Sequence, residues 1–179
     1  MNLTFDSLVK GELGLTPSAG AYFAEAASYC LHLHKHANPV RLLLSGDLSG
    51  EMSLNWITIG EAHYQTHADL EESTEYGAYA IGIVIAVKLT GFPCVERSAK
   101  GTGIDFWLAD DSDERGVFQH SARLEVSGIF RGTENAIATR VKQKLLQTTP
   151  TDIQGLPVYV AVIEFSSPEL TLRKKGTVA

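Results

Sequence analysis

Residues 156–165 read Leu-Pro-Val-Tyr-Val-Ala-Val-Ile-Glu-Phe, an almost unbroken apolar run near the C-terminal end of the chain. A strand this apolar needs cover on both faces, the situation of an interior strand in an α/β sheet. The segment before it supplies one cover. Over residues 133–148, Ile137, Val141 and Leu145 recur on one helical face, with Arg140, Lys142, Lys144 and Gln147 elsewhere. Earlier still, residues 122–127 alternate, Leu124 and Val126 pointing opposite to Arg123, Glu125 and Ser127. Strand, amphipathic helix and buried strand in that order predict a right-handed parallel crossover.

The upstream sequence fills in the architecture. Residues 92–97 read as a strand and 99–103 as a turn. In 104–108, Ile104, Phe106 and Leu108 alternate with Asp105 and Trp107, and residues 110–116 make a polar turn. A helix is predicted over 69–90. Its first turns are acidic (Asp69, Glu71, Glu72, Glu75), its second half is apolar on all sides, and Gly91 is its stop. An earlier helix starts at Thr16-Pro17 with Tyr22, Ala26, Tyr29, Cys30 and Leu33 on one stripe, and a β-hairpin spans 40–57. The chain is therefore expected to be one α/β domain over 1–179 with a mixed central sheet. A core over 69–165 carries the order αβββαβ. Residues 1–68 form a helix-plus-hairpin addition, and 166–179 are a basic tail containing Arg173, Lys174 and Lys175.

Composition narrows the function. With 44% hydrophobic and 20% charged residues, the 179-residue chain can bury a core. A net charge of −6 argues against a dedicated nucleic-acid coat protein, whose affinity rests on neutralising phosphates. Cys30 and Cys94 have no metal or disulfide spacing, the N-terminus shows no signal-peptide pattern, and no uncharged run is longer than that at 76–87. A cytoplasmic protein without a membrane span is expected.

The order αβββαβ, with Gly103-Ile104-Asp105 opening the second strand and Glu125-Val126-Ser127 ending the third, resembles the PD-(D/E)XK (restriction-endonuclease-like) nuclease superfamily over residues 69–165. The resemblance implies metal-dependent cleavage of DNA phosphodiesters. Mg²⁺ or Mn²⁺ would be held by Asp105 and Glu125, with an acidic residue of the first core helix, Glu75 or Glu72, in support. The family's catalytic lysine falls at Ser127, whose short neutral hydroxyl cannot replace a cationic arm. Two functions follow from that departure. One is a nuclease whose cation comes from elsewhere: Lys142 or Lys144 of the following helix, or Lys100 of the turn before Asp105. The other is an inactive pseudo-nuclease kept as a nucleic-acid-binding or assembly module.

The residues themselves support a hard-oxygen site, because carboxylates facing one way on neighbouring strands suit Mg²⁺ or Mn²⁺. Two registers are open. A hairpin centred on position 113 sets Asp105 across from Ser121, and one centred on 115 sets it across from Glu125. Other motifs are weaker. His32, His34 and His36 scatter around a helix end, and His63 and His67 lack the glutamate of a zinc-helix motif. Gly101-Thr-Gly103 does not precede a helix, so it is no dinucleotide fingerprint, and no nucleophile-elbow pattern surrounds Ser127. Charge is uneven. Residues 47–87 hold seven Asp or Glu and no Lys or Arg, a surface for a protein partner. Arg123, Arg140, Lys142 and Lys144 form a basic strip where a DNA backbone would lie.

Overall fold

The computed structural model describes residues 2–110, 120–149 and 155–176. At its centre β7 (Val158–Glu164) pairs in parallel with β6 (Ala122–Ile129), placing Val160 beside Glu125 and Val162 beside Ser127. Between them runs α5 (Glu134–Gln147), started by Thr133, whose hydroxyl accepts from the Ala136 N–H. Ile137 and Val141 of α5 pack on Val160 and Val162, so the expected parallel crossover is present. The alternate side chains, Leu124, Val126, Ala161 and Ile163, point to the other face of the sheet and join the main core.

That second face is covered by α4 (Leu70–Thr90), with α2 (Pro17–Leu33) packed against it. Asp69 caps α4 by accepting from the N–H groups of Glu71 and Glu72, and Gly91 closes it in the left-handed region at φ 75°. Residues from Gly77 to Ala86 are buried on every side because sheet and α2 enclose the helix. Close approach depends on Gly77: a Cβ there would stand 2.9 Å from Ala27 backbone atoms. Although α4 has 21 residues, no helix among those described is long and apolar enough to cross a membrane.

The described residues form one eight-stranded mixed sheet and five helices. On one side of β6 lie β5 (Phe106–Ala109) and then β4 (Cys94–Arg97), both antiparallel steps. On the far side of β7 lies β8 (Glu169–Lys175), antiparallel to β7 and parallel to β2 (Val40–Gly46). The hairpin partner β3 (Gly50–Leu54) and the short β1 (Asn2–Leu3) complete that end, while α1 (Asp6–Val9) and α3 (Glu61–Thr66) are short connectors.

Two expectations are corrected here. Most of the segment expected to be a basic tail is β8, with Leu170, Thr171 and Leu172 buried between β7 and β2. Strand β8 also makes the N-terminal hairpin part of the central sheet. The hairpin's second strand stops at Leu54, short of residue 57. Trp56 is instead held by Asn38 Oδ1 and the Ala37 carbonyl, and the Ile57 N–H donates to Ser28 Oγ. The polar turn expected over 110–116 lies, beyond Asp110, outside the described residues.

Gly77→Val should destabilise the protein by about 2 kcal/mol or more, since overpacking a closed helix contact costs on this order. Gly176→Ala, with no described residue within 4 Å of the added carbon, should stay within about 0.5 kcal/mol of wild type. Urea unfolding of both variants checks the contrast.

Candidate functional site

Strand β5 begins at Phe106, whereas β6 continues to Ile129, so the second half of β6 has no β5 partner. The notch opens into a cleft of about 1120 Å³. Glu125, Val126 and Ser127 line its floor, Glu75 and Tyr79 of α4 one wall, and Arg140 and Lys144 of α5 the other.

Asp105 stands at the corner of the notch. Its N–H donates to the Leu124 carbonyl at 3.1 Å, and its own carbonyl accepts from the Ser98 N–H at 2.9 Å. Its carboxylate then replaces the backbone acceptor that a longer β5 would have offered: Oδ2 accepts from the Val126 N–H at 2.9 Å. Oδ1 accepts from the Tyr79 hydroxyl, also at 2.9 Å. Phe106 pairs with Leu124 and Leu108 with Ala122, the register of a hairpin centred on position 115. One step further, that pairing sets Asp105 across from Glu125.

Glu125 is 1% exposed. Its Oε1 accepts from Lys144 Nζ at 2.5 Å, while Oε2 is buried with no hydrogen-bond donor among the described residues. Burial pushes the carboxyl pKa up to about 8; the charge of neighbouring Asp105 adds to the rise and Lys144 opposes it. Two acceptor-only groups side by side repel unless a proton or a cation lies between them. The orphaned Oε2 beside a second carboxylate therefore fits a hard divalent ion as well as it fits a shared proton.

The basic residues divide sharply. Arg140 and Lys144 are four residues apart on α5 and reach the same side of β6. Arg140 Nη1 donates to Ser127 Oγ at 2.8 Å, so a cation stands next to the serine. Lys142 lies between them in sequence but points elsewhere on the helix, exposed and outside the cleft lining. The cation at the carboxylates is thus Lys144 rather than Lys142. Lys100 is an exposed residue on the cleft rim. Arg123, expected to face a DNA backbone, is 2% exposed. It donates through Nε and Nη2 to the Leu156 carbonyl and through Nη1 to that of Thr148, which ties the end of α5 to the entry of β7.

Glu75 is set back by one group. It accepts from the Tyr79 hydroxyl at 2.5 Å, and that single proton serves either Glu75 or Asp105. Burial, with the Asp105 charge next, holds the Tyr79 phenol well above its ordinary pKa, so it remains a donor. Glu72 lines a different groove. Among the described residues, no three His, Cys, Asp or Glu side chains converge as a metal cluster. Arg97 donates to Tyr79 Oη at 3.2 Å, and its guanidinium lies 4.4 Å from the Tyr79 ring centroid.

The remaining motifs have structural partners. His32 bonds the Tyr64 hydroxyl, His34 the Phe130 carbonyl and His36 the Phe165 carbonyl. His63 Nδ1 accepts from the Gly60 N–H, and His67 is buried against the Tyr22 and Tyr29 rings, 3.6 Å from Glu25. Within the acidic segment, Asp47 is paired with Arg173 and Glu51 with Arg41.

Tyr79 and Arg97 escape a reading of the sequence. Glu75 and Tyr79 do carry i,i+4 spacing, but only the fold brings them to Asp105. Comparison with protein-family models, curated proteins and solved structures finds no match to this chain.

In metal-free protein Glu125 should leave a pH signature. Its carboxyl titrates near 4.5 when exposed and near 8 when folded, so between those values the native state holds a proton that the unfolded chain releases. This contribution is full below the lower value and lost as pH rises through the upper. His67, whose pKa burial lowers, acts in the opposite sense at the acid end of the window. The difference between wild type and Glu125→Gln isolates the carboxyl: in EDTA, wild-type Tm should fall relative to the variant from pH 5.5 to 8.5. Parallel Tm curves would contradict the raised pKa.

Proposed function

We propose that this chain is a metal-dependent DNA phosphodiesterase of the PD-(D/E)XK type, with α4–β4–β5–β6–α5–β7 as its αβββαβ core. The observation that carries the reading is the carboxylate pair of Asp105 and Glu125, with a buried oxygen that no described residue bonds, at the floor of a cleft that also receives Lys144. The parallel pairing of β6 with β7 and the antiparallel steps from β4 to β6 support that reading.

Asp105 and Glu125 would hold Mg²⁺ or Mn²⁺, which when bound polarises a phosphodiester and acidifies water. The chain's own residues do the rest. Lys144 supplies from the helix the cation that the family takes from the strand position of Ser127, and its charge offsets what develops on the phosphate. Arg140 holds Ser127 and adds a second positive group. Tyr79 fixes the orientation of Asp105 from behind, with Glu75 as the alternative acceptor for its proton. Lys100, Arg97 and Arg131, exposed around the cleft, can pair with backbone phosphates.

A second reading has one specific support. Ser127 replaces the lysine, and Lys144 already pairs with Glu125, so the same fold can serve as an inactive nucleic-acid-binding or assembly module.

Wild-type protein should nick supercoiled DNA with Mn²⁺, Asp105→Asn and Glu125→Gln should abolish nicking, and Lys144→Ala should cost on the order of 10²-fold. Lys142→Ala, altering a residue outside the cleft, should cut as wild type does. Inert wild type that still binds DNA would favour the module.

A further inference from the structure

A second groove of about 560 Å³ lies beside the cleft, between α2, the first turns of α4 and the start of β5. Its walls are aromatic. Tyr22 and Phe23 come from α2, Tyr76 from α4 and Phe106 from β5. Phe23 and Tyr76 lie nearly parallel, 16° apart with centroids 5.5 Å apart, and Tyr22 meets Tyr76 edge-on at 67°. Tyr22, Phe23 and Tyr76 are only half-buried, so the cluster keeps ring surface open to solvent. Arg97 lines both the groove and the cleft, and through Tyr79 it stands two hydrogen bonds from Asp105.

We propose that this groove docks an unpaired base of a DNA strand whose backbone lies in the cleft, so that the preferred substrate is single-stranded or carries an unpaired nucleotide beside the cut. The inference rests on the cleft being a DNA site. Three features favour a base over other occupants. Tyr22, Phe23 and Tyr76 keep part of their ring surface open, and such surface binds a base by stacking, without regard to sequence. The exposed Arg97 guanidinium gives the passage between groove and cleft a positive charge, complementary to a connecting phosphate. At the groove the Glu72 carboxylate offers an acceptor for the exocyclic amino group of a base. A base inside a duplex presents neither a free face nor a free pairing edge, so the groove excludes paired DNA.

The test is fluorescence anisotropy with a short labelled single strand and its duplex, in Ca²⁺, with both DNAs checked to be intact. The single strand should bind more tightly than the duplex. Tyr76→Ala should weaken single-strand binding about tenfold, as for loss of one stacking contact, and leave duplex binding within twofold. Tyr76→Phe, which keeps the ring, should restore it; Tyr22→Ala repeats the test on another wall if Tyr76→Ala fails to fold. Tighter duplex binding, or equal losses for both DNAs in the alanine variant, would overturn the groove proposal and leave the cleft intact. No binding of either DNA would overturn the cleft reading and this proposal together.

Discussion

Two parallel strands buried on both faces leave the chain little freedom. To run β6 and β7 side by side in the same direction, it must cross over the sheet, and the crossover must cover the face it crosses. That helix is α5, and the same packing of Ile137 and Val141 on Val160 and Val162 that buries the sheet fixes where its polar residues fall. Arg140 and Lys144 each sit three residues beyond one of those apolar anchors, so they border the packed stripe and reach over β6. The interaction that stabilises the core therefore also delivers two cations to one end of β6.

The same stretch of β6 also forms the cleft. Strand β6 is buried through Ser127, but β5 covers only its first half, and the N–H of Val126, left without a strand partner, needs an acceptor. Asp105 meets that need with its side chain, which pins its carboxylate beside Glu125. Glu125 faces inward with Arg123 and Ser127 because of the strand period, not because the interior suits a charge. The raised pKa is the energetic trace of that placement, and Lys144 is its partial remedy. The proposed cation would complete the compensation that Lys144 begins.

Much of this was readable from periodicity. The change from period two over residues 122–127 to a helical stripe over 133–148 and then to an apolar run specified the crossover, because each pattern is local. The shared face of Asp105 and Glu125 was readable for the same reason. Register was not, since it depends on the turn between the strands. Strand β8 escaped because only Leu170 and Leu172 alternate among charged neighbours. Its burial comes from two flanking strands that are distant in sequence. Arg123 shows the reverse limit. Strand alternation put it on the Glu125 face, but the carbonyls of Thr148 and Leu156 close over it, and a sequence cannot reveal that cover.

In the proposed site Asp105 and Glu125 hold one cation, for which a proton and a metal compete. Mn²⁺ titration with simultaneous measurement of proton release tests it most directly. Binding requires the deprotonated carboxylate, so one Mn²⁺ per chain should bind at pH 6.5 with release of about one proton, falling toward none at pH 9. Asp105→Asn should eliminate the binding. Absence of Mn²⁺ binding by wild type, or binding that is unchanged in Asp105→Asn and releases no proton, would contradict the account.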